Sequence, residues 1–366
     1  MKNRLVFVGG YTQTIILGTG ERIYGSGDGI SVYRMDDVGR LTRLFAEATH
    51  NPTYLALSAD GRFLYAVNEL KEYHDEASSS VSAFSVHPKT GALTFLNRRM
   101  TGGGDACCLH LNPSGTHVMV ANFSGGSFSV FPILADGSLG TASCFVQHYG
   151  HGANPARQAS PHVHQTSADP LGKHLLVADL GTDEIRVYGI DWDSGLVSPN
   201  AAPAIPSDPG DGPRQFVFDQ SGRFLYLVTE LGNTIRVYDY RSETGTAKFL
   251  QTLSTLPAGC GDETIAAGIK LHPSGKFLYA SNRGYDSIAV YRVRDDGLLD
   301  PPAIIKTGGR TPRDFCLTPD GEYLLSGFQD SNELILYRID PNTGLLTESE
   351  RTACNSVTAV LIADYE

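Results

Sequence analysis

Two histidines, two arginines and one glutamate are the residues of this sequence whose types best suit catalysis. His162 and His164 are two positions apart, and a neutral imidazole can take a proton from water near neutral pH. Arg214 and Arg283 can hold an anion through fixed hydrogen bonds or stabilise a developing oxyanion. Glu230 could act as a base if its pKa were raised. The set predicts proton-transfer chemistry on an anionic small molecule.

The stretch GPRQFVFDQSGRFLYLVTE, residues 212–230, predicts a hairpin. Apolar residues alternate along its first half, its second half is aromatic and β-branched, and Gly222 supplies the reversal between them. Antiparallel pairing about residue 222 places Arg214 directly opposite Glu230. The two residues form either an ion pair that fixes the hairpin or the floor of a functional site.

The hairpin belongs to an internal repeat. Seven segments share an alternating apolar pattern that ends in an aromatic residue, namely Tyr33, Phe84, Phe131, Tyr188, Tyr238, Tyr291 and Tyr337. Turn glycines recur with the same period, at Gly61, Gly115, Gly172, Gly222, Gly275 and Gly321. A period near 50 residues made only of strand patterns is typical of a β-propeller with about four strands per blade.

The ends of the chain supply complementary parts of one repeat. The N-terminal strings RLVFVGGYT and GISVYRM match second and third strands, and residues 356–363 (SVTAVLIA) match the inner strand that is missing before them. We therefore predict an all-β, seven-bladed β-propeller with four antiparallel strands per blade. A C-terminal inner strand joins three N-terminal strands to close the ring, and residues 1–366 form one domain.

Loop lengths predict which end of the propeller carries the site. Turns at one end of the strands are tight, whereas the connections at the other end are long, over residues 12–29, 70–80, 149–161, 201–213 and 257–268. Long loops on a rigid scaffold are where functional sites are usually built. Alignment of the repeats places the five candidates named above at this end, in a funnel at the axis.

Five further residues are predicted to bind substrate: Asp179, Asn282 and Arg313 from the same alignment, and Arg157 and Gln158 from the loop that leads to His162. Structural interpretations compete with this assignment. Asp179 and Asn282 lie where strands end, and such residues commonly satisfy the backbone groups of turns. Arg313 could form a second ion pair within its blade.

A metal site is an alternative interpretation of the funnel. Propeller lactonases of another type hold a divalent cation with axial oxygen ligands, and the corresponding candidates are Glu69, Asn122, Asp179, Glu230 and Asn282. Nearby arginines would repel a cation, and the carboxylates are few for a hard metal. We therefore expect no metal and no cofactor.

Composition restricts the partners. The net charge of −11 argues against nucleic acid and anionic membranes, and no apolar run is long enough to span a bilayer. The six cysteines show no metal-finger spacing, so we expect buried free thiols. The N-terminus lacks the apolar core of a signal peptide, which favours a cytoplasmic protein. We expect a monomer or a weak homo-oligomer.

Several longer strings carry a resemblance to a known family. They are RQASPHVH (157–164), VADLGTDEIRVY (177–188), GPRQ (212–215), VTELGNTIRVY (228–238) and SNRGYDSIAVY (281–291). In this order they resemble the seven-bladed propeller lactonase family, which includes bacterial 6-phosphogluconolactonases and the fungal carboxy-muconate cycloisomerase. The resemblance covers essentially the whole chain.

The resemblance implies a metal-independent site at the mouth of the funnel. Its histidine would be His164 or His162, its arginines Arg214 and Arg283, and its glutamate Glu230. The implied substrate is a small anionic lactone, although the same residues would serve a cycloisomerase or remain in a propeller that only binds ligands. Where the family often has His, this chain has Gln215, which we expect to point away from Arg214 and to matter little.

Overall fold

The computed structural model describes residues 3–16 and 22–365, which form seven antiparallel blades around one axis. Each blade contains four strands, which are consecutive in every blade except the one that contains the C-terminal strand, and no helix occurs in these ranges. The inner strands of successive blades contact one another right round the ring. The predicted seven-bladed, all-β propeller is confirmed. Residues 17–21, within the first long connection, lie outside the described residues.

Blade 1 contains the C-terminal strand, and blades 2 to 7 follow in chain order. From blade 1 to blade 7 the inner strands are Val357–Tyr365, Pro52–Leu57, Ala106–Leu111, Val163–Ala168, Pro213–Phe218, Ile265–Leu271 and Pro312–Leu317. The second strands are Asn3–Gly10, Phe63–Asn68, His117–Asn122, His174–Asp179, Phe224–Thr229, Phe277–Arg283 and Tyr323–Phe328.

The fourth, outermost strand of each blade is the most exposed. The third strands are Ile30–Met35, Ser80–Val86, Ser127–Pro132, Glu184–Asp191, Thr234–Arg241, Ser287–Arg292 and Glu333–Ile339. The fourth strands are Leu41–Glu47, Leu93–Met100, Cys144–Gln147, Leu196–Pro199, Thr246–Ser254, Ala303–Lys306 and Leu346–Ala353. Ile205–Pro206 adds to the third strand of blade 4, and Ile15–Ile16 pairs with Arg22–Ile23.

The repeat residues occupy the places that their spacing predicts. All seven repeat aromatics lie in third strands and are at most 9% exposed, because both faces of a blade pack against neighbouring blades. The six turn glycines lie between inner and second strands with φ between 67° and 73°. Side chains with a Cβ rarely adopt this left-handed conformation, so glycine is favoured there.

The ring closes through blade 1. Val357–Tyr365 pairs antiparallel with Asn3–Gly10, which confirms the predicted closure over slightly different bounds. Arg4 Nε donates to Asp364 at 2.6 Å, and Arg4 Nη2 donates to Asp320, in a turn of blade 7, at 2.6 Å. This buried cation therefore ties both paired strands of blade 1 to blade 7. That the whole of residues 1–366 is a single domain stays a prediction.

Every inner strand carries a β-bulge near the end with the long connections. One extra residue interrupts the register each time, and from blade 1 to blade 7 these residues are Thr358, Thr53, Cys107, His164, Arg214, Ala267 and Arg313. A bulge bends its strand and re-aims a side chain. We call this set the bulge ring.

The bulge corrects the predicted pairing of the hairpin. Arg214 does not lie opposite Glu230, because Pro213 pairs with Thr229 and Gln215 with Val228. The symmetric register about residue 222 was wrong, since a one-residue bulge cannot be read from alternation alone. Arg214 nevertheless reaches Glu230 through its side chain, as described below.

Candidate active site

A cavity of about 160 Å³ opens at the long-connection end of the axis. The structure brings seven of the ten predicted site residues together in its wall: Arg157, His162, His164, Arg214, Glu230, Arg283 and Arg313. They come from blades 4 to 7 and from the connection before blade 4. The bulge ring supplies three of them.

Glu230 is the centre of an arginine cluster. Its Oε1 accepts from Arg157 Nη2 at 2.7 Å, and its Oε2 accepts from Arg214 Nε and Arg283 Nη2, both at 2.9 Å. Burial would raise the pKa of this carboxyl, but the charges of Arg283, Arg214 and Arg157 outweigh it and lower the pKa. Glu230 is therefore ionised. The interpretation of Glu230 as a base with a raised pKa was wrong.

Both oxygens of Glu230 accept hydrogen bonds, whereas Arg283 has a donor that is not used by any described residue. Burial, followed by the repulsion of Arg214 and Arg313, lowers its pKa to about 10 despite the attraction of Glu230, so it stays a cation at neutral pH. Its Nη2 also donates to the Ala266 carbonyl at 3.0 Å. Its Nε is buried and has no hydrogen-bond partner among the described residues, so this donor remains available to a bound anion.

His164 is a neutral imidazole inside this field of positive charge. It is 5% exposed, and burial, with the charge of Arg214, holds its pKa well below the usual value. Its Nδ1 has no hydrogen-bond partner in the described part of the chain. A neutral, unpaired ring nitrogen is free to accept a proton.

His162 is placed differently. Its ring stacks on Phe123 with centroids 4.6 Å apart, and its Nδ1 donates to the Phe123 carbonyl at 3.1 Å. The backbone N of His162 donates to Asp179 Oδ1 at 2.7 Å. In the neutral ring the bond to the carbonyl leaves Nε2 as an acceptor.

Three predicted substrate-binding residues lie outside the cavity wall, and we correct their assignment. Gln158 donates to the Leu180 carbonyl and to Asp183. Asp179 pairs with His148 Nδ1 at 2.7 Å besides holding the His162 backbone. Asn282 donates to the Thr255 carbonyl and to Ser287. Each side chain satisfies hydrogen-bonding groups next to the site. This is the structural role that the competing interpretation gave to Asp179 and Asn282.

The cavity also contains residues that the sequence interpretation did not assign to substrate, among them Glu69, Asp105, Cys107 and Phe123. Glu69 occupies in blade 2 the position that Glu230 has in blade 5, and Cys107 belongs to the bulge ring. The repeat alignment carried a signal for both. Asp105 lies just before the inner strand of blade 3 with φ 53°, and no repeat pattern marks it.

Below the cavity the axis narrows to a space of about 10 Å³, about the least that can hold one water molecule. Six bulge-ring residues line it, and so does Gln215. The expectation that Gln215 points away from Arg214 was therefore wrong, because the bulge turns both residues toward the axis. Buried polar atoms of Thr53, Gln215 and Thr358 face this space without a hydrogen-bond partner among the described residues. Asp314 Oδ1 also lacks a hydrogen bond among those residues and has Lys270 Nζ 3.5 Å away.

The ligands of the alternative metal site do not converge. Asn122 donates to the Thr101 carbonyl and to Ser127, and Asp179 holds His148. Within residues 3–16 and 22–365 no group of three His, Cys, Asp or Glu side chains could hold a metal ion. No helix in these ranges is long and apolar enough to cross a bilayer.

Comparison with known proteins gives one consistent result. The family model described as "Lactonase, 7-bladed beta-propeller" matches residues 5–362. The 6-phosphogluconolactonase of Bacillus subtilis is 29% identical over 350 residues, which cover 95% of this chain and 94% of that protein. The 6-phosphogluconolactonase of Formosa agariphila is 31% identical over 326 residues, covering 87% and 91%.

A solved structure shows the same architecture. The periplasmic gluconolactonase of Pseudomonas aeruginosa superposes with a TM-score of 0.91 at 29% identity, and the match covers 99% of both chains.

Proposed function

The chain belongs to the seven-bladed β-propeller lactonase family and is a lactonase, and on this premise we propose that it hydrolyses an anionic sugar lactone, 6-phosphogluconolactone or a close relative. The observation that carries the proposal is the neutral His164 beside three guanidinium groups in one cavity. The relatives named 6-phosphogluconolactonase support the choice of substrate.

The proposed reaction begins with attack of a water on the lactone carbonyl. His164 accepts the proton of that water as the carbon–oxygen bond forms, and a guanidinium group stabilises the resulting oxyanion. Collapse of the tetrahedral intermediate breaks the ring C–O bond. The protonated imidazole then returns its proton to the leaving alkoxide, which yields a hydroxyl and a carboxylic acid that releases its proton to solvent.

Glu230 is a positioning residue in this scheme. Both of its oxygens are occupied by arginines, so the carboxylate holds three cations at fixed places rather than transferring a proton. Arg283 and Arg214 are the proposed clamps for the oxyanion or for the anionic group of the substrate. The three guanidinium groups supply the positive charge that a metal would otherwise provide, which supports metal-independent catalysis.

A comparison of three lactones tests the substrate. We expect the purified protein to hydrolyse 6-phosphogluconolactone faster than unphosphorylated gluconolactone, in the presence of excess chelator, and to leave carboxymuconolactone unchanged. Conversion of carboxymuconolactone would support the cycloisomerase. Binding without turnover of any of the three would support a ligand-binding propeller, and activity restored only by added metal would contradict the arginine mechanism.

Three variants test the roles. His164→Asn should lower kcat by about 10²–10⁴-fold. Arg214→Gln should mainly raise KM, by the roughly 1.5–3 kcal/mol of a charged hydrogen bond. Glu230→Gln should impair both, because it releases all three arginines. Glu184→Gln, whose carboxylate pairs with Arg186 away from the cavity, is the matched control. Near-normal hydrolysis in all three folded variants would mean that the site is wrongly placed.

The cellular location is also a proposal. All six cysteines are unpaired, four of them buried and Cys144 and Cys260 half-buried, which corrects the expectation that all are buried. Unpaired thiols suit a reducing compartment, and we propose the cytoplasm.

A further inference from the structure

The cavity has a second, acidic wall that the proposed mechanism does not use. Glu69 and Asp105 both line it and are 4% and 5% exposed. Tyr11 donates its hydroxyl to Glu69 Oε1 at 2.9 Å, and Arg313 Nη2 lies 3.5 Å from Glu69 Oε2. Ser124 donates its hydroxyl to Asp105 Oδ2. This wall therefore has two carboxylates and one arginine, whereas three arginines surround the single carboxylate of Glu230.

The two walls face each other across the axis. Glu69 follows the second strand of blade 2, and Asp105 precedes the inner strand of blade 3. Arg214 lies in blade 5 and Arg283 in blade 6. Three steps separate blade 2 from blade 5, and blade 3 from blade 6, which is the largest separation that a ring of seven allows. His164, in blade 4, lies between the blades of the two walls on one side of the ring.

Each carboxylate of the acidic wall keeps one oxygen for a ligand. Asp105 Oδ1 and Glu69 Oε2 are buried and have no hydrogen-bond partner among the described residues. A buried acceptor without a hydrogen bond costs free energy. A ligand that donates a hydrogen bond to it recovers this free energy, which strengthens binding of the ligand. Burial raises the pKa of Asp105 to about 6, and its carboxylate is therefore mostly ionised at neutral pH.

We propose that Glu69 and Asp105 form a hydroxyl-binding subsite that recognises the polyol part of a sugar lactone while the arginines hold its anionic and carbonyl groups. The proposal rests on the proposed lactonase function and adds a specificity to it. Hydroxyl groups donate to the free oxygens. A lactone without hydroxyls leaves Asp105 Oδ1 unpaired and Glu69 Oε2 with only its 3.5 Å contact to Arg313 among the described residues. A second carboxylate on the ligand is repelled by both groups, so the subsite selects hydroxylated lactones.

Paired substrates test the subsite. We would measure kcat/KM for glucono-δ-lactone and for δ-valerolactone, which has the same ring without hydroxyls. We expect the wild type to prefer gluconolactone by at least about 10²-fold. Asp105→Asn and Glu69→Gln should each reduce kcat/KM for gluconolactone by about 10–150-fold and leave δ-valerolactone unchanged. Glu184→Gln, outside the cavity, should alter neither.

Binding provides a readout that does not depend on turnover. Titration calorimetry with glucono-δ-lactam and δ-valerolactam should show the same preference in the wild type and its loss in the two variants. If no lactone is hydrolysed, the proposed function fails, and the lactams still decide the subsite. Equal wild-type affinity for both lactams, or an equal loss with both ring types in the variants, overturns the proposal. Should Glu69→Gln unfold through its contacts with Tyr11 and Arg313, Asp105→Asn decides alone, because Asn can still accept from Ser124.

Discussion

The protonation states in the cavity divide the chemistry between two side chains. Glu230 is surrounded by three cations and stays ionised, whereas burial, followed by the charges of Arg214, Arg313 and Arg283, keeps His164 neutral. A lowered pKa weakens either group as a base, but it keeps the imidazole in its neutral, proton-accepting form over a wider range of pH. Burial and the arginines thus leave one ionised carboxylate and one neutral imidazole in the same cavity.

The pH profile of kcat/KM tests this division. His164 must be neutral to act as a base, and a lowered pKa moves its protonation to more acidic pH. We expect kcat/KM to stay level from pH 7.5 down through 6.5, the ordinary histidine pKa, and to fall only well below it. An acid limb centred at or above 6.5 that disappears in His162→Asn would assign the base to His162 instead.

The sequence predicted which side chains gather at the axis, but it did not predict their protonation states. The repeat period fixes the rank of each residue along its strand, and rank alone carried His164, Arg214, Arg283 and Glu230 to the axis. The protonation state of Glu230 depends in part on Arg157, which lies in a loop outside the repeat alignment. The number of arginines that contact one carboxylate cannot be predicted before the fold is known. Asp105 was missed because it precedes its strand and shares no rank with the others.

Among the strands and loops, one close backbone contact positions the segment that contains His162 and leads into the strand of His164. A Cβ on Gly181 would lie 2.0 Å from the Ser160 carbonyl oxygen and 2.7 Å from the backbone N of His162. Asp179 Oδ1 accepts from the backbone N of both Gly181 and His162. The end of the second strand of blade 4 thus fixes the entry to its inner strand.

Gly181→Ala should separate these segments and displace the histidines. We expect kcat/KM to fall about 10²-fold, as for a displacement of about 1 Å, with a loss of stability of about 1–3 kcal/mol. Gly261→Ala is the matched control, because a Cβ there would meet no atom within 4 Å. Activity retained by Gly181→Ala, measured beside its melting temperature, would contradict the role given to this contact.

The bulge ring explains why strand prediction succeeded in outline and failed in register. Alternation predicted each inner strand, its partner and its turn glycine, because these depend on local composition and period. The extra residue is invisible to that pattern, since Thr53, Cys107, Arg214 and Thr358 have no side-chain property in common. What they share is a place where seven strands crowd one axis and must bend.

At the scale of the whole molecule, closure depends on one strand. Deletion from Ser356 onward would remove the inner strand of blade 1, leave one edge of Asn3–Gly10 unpaired and take Asp364 from Arg4. We expect loss of the cooperative melting transition or self-association through the exposed edge. Light scattering and calorimetry would measure both, and a monomeric truncation with an unchanged melting temperature would refute the closure scheme. Arg4→Ala should cost only about 1.5–3 kcal/mol.

Because Asn3 pairs with Tyr365, blade 1 cannot be completed during synthesis until Tyr365 has been added to the chain. Translation proceeds at about 5–20 residues per second, so roughly 20–70 s separate the emergence of the first strand from that of its inner partner. Throughout that time Leu5, Phe7 and their neighbours, fully buried in the finished ring, have one open edge and no covering strand. Blade 1 is the first to be synthesised and the last to be completed.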